Sequence, residues 1–266
     1  MPPKTPLDDL EFLASSGNRV EVLETLATEP ATRAALHERT GISQPTLGRI
    51  LEGFETRGWI RKTGQQYRLS RLGTLLAEEL ARLLDTVDTI QRLTELESQL
   101  PTDEMAFDFR EFRDATVTVP RSPDVFAHIR RAEALIEAAD SVRTLTGNMY
   151  LDAIPKQRTL VLEQGQIQEV VISAAAFDAA ISHPEAVSWM RDVLAAENMS
   201  TYRYEGAVPF SIGLVDDTAL ILPYDDHSVP CALIETENET IREWVETTID
   251  AYRDRATRVT VDDLPS

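Results

Sequence analysis

The spacing of apolar positions changes along the chain, and the change divides it. Val20, Leu23, Leu26 and Ala27 recur at helical intervals before Pro30, which predicts a helix over roughly 18–28. Thr32 can cap a second helix with Ala35 and Leu36 inward, and Gly41, free to adopt positive φ, marks a tight turn. Ser43 suits the N-cap of a third helix, where Pro45 is tolerable in the first turn. Leu47, Leu51 and Phe54 then share one face at i, i+4 and i+7. Two short strands follow around Gly64, within residues 60–69. The predicted order is helix, helix, turn, helix, hairpin.

From Ser70 to Leu100 there is no proline and one glycine, Gly73. Leu76, Leu80, Leu83, Val87 and Ile90 alternate at spacings of four and three, a coiled-coil seam. The stripe continues as Leu93, Leu96 and Leu100 until Pro101. Such a helix pairs two copies of the chain, or packs only on its own C-terminal domain. Beyond it the period alternates between strand and helix. Strands are expected at 116–119, 142–146, 169–173, 201–204, 210–215, 219–222 and 231–235. Helices are expected at 123–139, with Val125, Ile129 and Ile136 inward, and at 151–163, 174–182, 184–197 and 239–255. The fold class read from this pattern is α+β. The expected domains are 1–73, a linker or dimerisation helix at 74–100, and a mixed α/β domain at 101–266 with an antiparallel portion.

Charge sharpens that division. The 266 residues carry a formal net charge of −19, which taken alone opposes contact with phosphate. Between residues 31 and 73, however, eight basic side chains (Arg33, Arg39, Arg49, Arg57, Arg61, Lys62, Arg68 and Arg71) face three acids, Glu38, Glu52 and Glu55. The segment is therefore +5 and the remainder −24, an anion-binding module joined to an acidic body. Only Lys4, Lys62 and Lys156 among 26 basic residues are lysines, a composition resembling that of salt-loving archaea, the alternative being an acidic protein from a GC-rich genome. No run approaches the length of about 20 apolar residues that a membrane span requires. The first residues have no apolar core like that of a signal peptide, and Cys231 is alone. A cytoplasmic protein without membrane contact is expected.

The stretch TGISQPTLGRIL at 40–51, followed by RGWI at 57–60, resembles the turn and recognition helix of MarR- and ArsR-type regulators. The whole plan is similar to archaeal regulators that join a winged helix to the effector domain first described in a methanogenesis regulator. It is more distantly similar to TrmB-type regulators, whose effector domain is phospholipase-D-like. The resemblance implies a winged helix-turn-helix that binds double-stranded DNA as a homodimer, with a C-terminal domain sensing a small molecule or a protein.

A helix fits the major groove and presents its N-terminal residues to base edges. Ser43, Gln44, Thr46 and Arg49 are the expected base readers, and Lys62, Gln65 and Arg68 the expected contacts of the wing with phosphate or minor groove. A winged helix also serves as a docking module for transcription machinery, the alternative reading. Asn148, Tyr150, Tyr202, Tyr204, Phe210 and His227 are candidate ligand contacts, because aromatics with a few polar groups suit small-molecule sites. No catalytic residue, metal ligand or cofactor is assigned. Phospholipase-D chemistry needs a histidine with lysine two residues on, and His37, His128, His183 and His227 all lack it. An enzyme is not expected.

Overall fold

The computed structural model describes residues 5–265, so that Lys4 lies outside the described residues. The chain forms two compact units, Met1–Val87 and Asp88–Ser266.

The first unit runs α1 (Pro6–Ala14), α2 (Gly17–Thr28), β1 (Ala31–Thr32), α3 (Arg33–Thr40), α4 (Gln44–Thr56), β2 (Ile60–Thr63) and β3 (Gln66–Leu69). It then continues into α5 (Arg71–Leu93), and β3 lies between β1 and β2 in an antiparallel sheet. Each predicted element is present. Thr32 caps α3 through the Ala35 N–H, and Gly41 ends that helix in the left-handed region at φ 67°. Leu36, Leu47, Leu51 and Phe54 are fully enclosed, each stabilising the unit by roughly 1.5–3 kcal/mol.

Two details differ from the predicted pattern. α2 buries Val22, Leu23 and Leu26, whereas Val20 is half-buried and Ala27 exposed. The pattern also did not reveal α1, which packs beside α2. Phe12 of α1 sits 6.2 Å from Phe54 and 5.9 Å from Trp59, ring centre to ring centre, and closes the core. The same ring explains Gly53, where an added Cβ would lie 2.7 Å from Phe12 Cζ.

α5 leaves the wing through a tight junction. Ser70 donates its N–H to the Trp59 carbonyl at 2.8 Å and its hydroxyl to the Gly58 carbonyl at 2.6 Å. The backbone at Gly73 consequently runs against Trp59. α5 also stops at Leu93, short of the anticipated Leu100. Thr94–Gln99 forms turns that direct Leu93, Leu96 and Leu100 into the core of the second unit.

That second unit contains β4 (Thr116–Thr118), α6 (Ala127–Ala138), β5 (Ser141–Thr146), α7 (Ala153–Leu162), β6 (Ile167–Ser173) and α8 (Ala174–Ile181). It continues with α9 (Pro184–Leu194), β7 (Met199–Tyr204), β8 (Phe210–Val215), β9 (Thr218–Pro223), β10 (Leu233–Thr236), α10 (Glu239–Arg253) and β11 (Thr257–Val259). One eight-stranded sheet has the order β11-β7-β6-β5-β8-β9-β10-β4, with β5, β6 and β7 parallel and the other pairings antiparallel. Val125 is exposed rather than inward, because an Arg121–Asp124 bridge holds the chain in a turn and α6 starts only at Ala127.

The alternation of side chains along the strands gives the sheet two unlike faces. One face carries Leu145, Val171, Phe210, Ile212 and Ile221 against Ile241, Val245 and Ile249 of α10. There Arg143 binds Glu169 at 2.7 Å and Asp250 at 2.6 Å, tying β5, β6 and α10 together. The opposite face, with Val142, Thr144, Val170 and Leu220, lies under α6 and α7. Among the described residues no helix is long and apolar enough to cross a membrane, and no group of His, Cys, Asp and Glu is arranged to hold a metal ion.

An alanine Cβ at Gly73 would stand 1.9 Å from the Trp59 carbonyl oxygen. Gly73→Ala should therefore destabilise the first unit by about 1–3 kcal/mol in urea denaturation, as overpacking does. Gly17→Ala, which meets nothing within 4 Å, is the control. Equal midpoints for the two variants would contradict the junction described.

Candidate nucleic-acid interface

α3 and α4 are joined by Gly41, Ile42 and Ser43. Buried Ile42 anchors the turn, with its carbonyl 2.8 Å from His37 Nδ1. Burial of Leu47, Ile50, Leu51 and Phe54 fixes the rotation of α4, which leaves Pro45, Arg49, Glu52 and Thr56 exposed along one line. The basic and neutral groups occupy the N-terminal half of that face and the acids Glu52 and Glu55 the C-terminal half. The N-terminal half is the part that enters a groove first.

The expected base readers differ in their freedom. Arg49 is exposed and has no ion pair or side-chain hydrogen bond among the described residues. Gln44 is half-buried and accepts a hydrogen bond from Arg33 Nε at 2.6 Å. Ser43 is the N-cap residue by position, but its hydroxyl lies 2.9 Å from the Thr46 hydroxyl and makes no capping bond. Arg33 is the residue that sequence reasoning missed. It comes from α3, and its guanidinium reaches over Gly48, where an added Cβ would lie 3.4 Å from Nη1. Nothing in the spacing of α3 signalled that reach, because it depends on how the two helices cross.

The wing separates its cations by face. The β2–β3 register pairs Lys62 with Tyr67 and Arg61 with Arg68. Lys62 Nζ stands 5.2 Å from the centre of the buried Tyr67 ring, a cation–π contact. Arg61 and Arg68 are exposed directly across from each other, an arrangement that like charges disfavour unless an anion joins them. Gln65 is exposed at the tip. Lys62 and Arg68 therefore point to opposite faces, and Arg61, absent from the sequence assignment, is the partner of Arg68. The two-residue turn at Gly64 and Gln65 was the available signal, since it fixes that register.

Two other arginines of the basic segment are committed to the fold. Arg39 pairs with Glu29, and Arg57 pairs with Asp9 at 2.8 Å while stacking 3.6 Å from the centre of the Phe12 ring. Arg33, bonded only to the neutral Gln44, and Arg49, Arg61, Lys62, Arg68 and Arg71 are left without an ionic partner among the described residues.

In the second unit the six candidate ligand contacts are dispersed. Asn148 and Tyr150 line a cavity of about 430 Å³ between the sheet and helices α6 and α7. Burial and the neighbouring Tyr224 push the Tyr150 phenol up to about 12, so it stays neutral. Tyr202, Tyr204 and Phe210 belong instead to the core on the α10 face, where Tyr204 stacks 4.9 Å from Tyr252. Strand alternation, not composition, decides that placement. His227 is exposed in a turn held by Asp225.

Residues 7–92 match the family model described as the HVO_A0261 N-terminal domain. Residues 125–255 match that of the methanogenesis regulatory protein FilR1, middle domain. The chain carries the two matches in succession. The HVO_A0261-type domain contains the helix-turn-helix and wing, and the FilR1-type domain contains the sheet from β5 to β10 with its helices. TrmBL2, described as an archaeal chromatin protein with a novel mode of DNA binding, aligns at 11% identity and TM-score 0.41, over 96% of this chain and 100% of that one. Nuc from Salmonella typhimurium, a phospholipase D family member, aligns at 14% identity and TM-score 0.39, over 55% and 99%. Quinone-bound YodB from B. subtilis aligns at 19% identity and TM-score 0.29, over 31% and 94%. No curated protein sequence matches the chain.

Proposed function

We propose that this chain is a DNA-binding transcriptional regulator that reads its operator with the N-terminal half of α4 and holds the flanking phosphates with its wing. The observation that carries the reading is the set of unpartnered cations on α4 and the wing of an otherwise strongly acidic chain. Arg49 is the principal base reader, since guanidinium matches the O6 and N7 acceptors of guanine. Arg33 and Gln44 act as a coupled pair beside it. Arg61 and Arg68 straddle a backbone phosphate, which relieves their mutual repulsion.

The active form in this proposal is a homodimer built on α5. Leu76 and Leu80 of the expected seam pack instead against the first unit's own core, but Leu72, Leu75, Leu83, Val87 and Ile90 are all exposed, Leu72 to 70% and Ile90 to 58%. A second copy of the same stripe would cover them and set two α4 helices about one DNA turn apart, matching a near-palindromic site. The FilR1-type domain is the sensing part, and occupancy by its ligand or partner alters operator affinity. The acid-rich, lysine-poor surface suits a cell of high internal salt, where counterion release contributes little and base contacts must carry more of the binding.

Two outcomes test the proposal. Arg49→Ala should weaken binding to a genomic operator fragment by about 1–3 kcal/mol and relax its base preference in gel-shift competition. Unchanged affinity and selectivity would refute the assigned readout, and failure of the wild-type chain to shift any fragment would favour docking on transcription proteins. Leu83→Glu combined with Val87→Glu should convert a sedimenting dimer to a monomer. A wild-type chain that sediments as a monomer would remove the dimer from the account.

A further inference from the structure

The α6/α7 face of the large sheet is incompletely covered. Thr144, Val170, Ser211 and Leu222 sit on four adjacent strands in the middle of the sheet, where both faces are normally buried, yet each retains accessible surface. The space above them is the cavity of about 430 Å³, within the range of small-molecule sites. Gly213 in its floor and Ala132 and Ala153 in its walls keep it open, and the rest of the wall is largely aliphatic, with Ile129 and Ile136 from α6 and Leu160 from α7.

Two polar groupings lie at this surface. The Ser211 hydroxyl is 2.7 Å from that of Thr146 and also bonds the Tyr224 phenol, while Gln157 donates to Gln168 at 2.7 Å. Thr144 has no side-chain hydrogen bond among the described residues, so its hydroxyl can serve a ligand. The charges belong to α6 and α7. Lys156 Nζ is held by Glu133 at 2.8 Å and lies 3.8 Å from Glu137, with Asp152 also on the lining. Three carboxylates against one ammonium repel an anion, and a carboxylate ligand could reach Lys156 only by displacing Glu133.

We infer that this cavity is a binding site for an uncharged, predominantly apolar small molecule bearing one hydroxyl or carbonyl, which Thr144 and the Ser211 cluster hydrogen-bond. The inference gives the sensing domain proposed above a ligand class, but the site stands on its own geometry. It lies wholly within the FilR1-type domain and on the opposite sheet face from Tyr202, Tyr204 and Phe210.

The test uses the full chain and the neutral fluorophore N-phenyl-1-naphthylamine. The fluorophore should bind with enhanced emission and be displaced by 1-decanol, while decanoate and decylammonium compete at least about tenfold less well, because burying a charge without a partner is costly. Val170→Phe and Ala153→Phe each fill the space from a different side. A variant that keeps the wild-type unfolding transition should lose probe binding. Undiminished binding in such a folded variant, or preferential displacement by either charged competitor, would overturn the assignment. The readout needs no DNA, so Arg49→Ala should leave it unchanged even if the operator reading fails.

Discussion

In a chain with 45 acidic and 26 basic residues, a run of neighbouring cations without carboxylate partners requires explanation. Most of the second unit's arginines are paired, as in the Arg143 network that joins β5, β6 and α10. Arg39 and Arg57 of the first unit are paired too, and Arg57 is largely buried by Phe12. Arg113, Arg121, Arg191, Arg255 and Arg258 of the second unit also lack an ion pair among the described residues, but only α4, the wing and the start of α5 place several such cations close together in sequence, as Arg49, Arg61, Lys62, Arg68 and Arg71. Free positive charge that the fold does not consume is available to an external polyanion, and on that surplus the functional reading rests.

Most of the architecture was legible because local signals agreed with one another. Gly41 at positive φ, Thr32 as a cap and the Leu47, Leu51 and Phe54 face each specify the same helix-turn-helix. The expected strands of the second unit fell where their alternation put them, with ends shifted by a residue or two, whereas the edge strand β11 was not anticipated. What was not legible depends on tertiary contact. α1 is short, and its reason for existing is Phe12 meeting Phe54 and Trp59. The early end of α5 reflects the pull of the second unit's core on Leu93, Leu96 and Leu100.

The candidate sites divide on the same principle. Arg49 was readable, since a polar residue opposite a well-defined apolar stripe must face outward. Arg33 was not, because its position over Gly48 follows from the crossing of α3 and α4. Arg61 was within reach through the hairpin register. In the second unit, Asn148 and Tyr150 were identified with Tyr202, Tyr204 and Phe210 as one pocket, although the sheet keeps the last three from the first two. Composition suggests which residues suit a ligand; parity along a strand decides which of them can meet.

The two faces of that sheet divide rigidity from adaptability. The α10 face is closed by a continuous apolar core and by ion pairs, whereas the α6/α7 face leaves strand centres uncovered. The central claim, however, concerns the first unit, and the dependence of duplex affinity on salt tests it most directly. For the chain bound to a genomic operator duplex, the account predicts that exchanging both Arg61 and Arg68 for glutamine flattens the slope of log K against log salt by about 1–2 units. An unaltered slope would contradict it, because the paired arginines would then have no phosphate to hold.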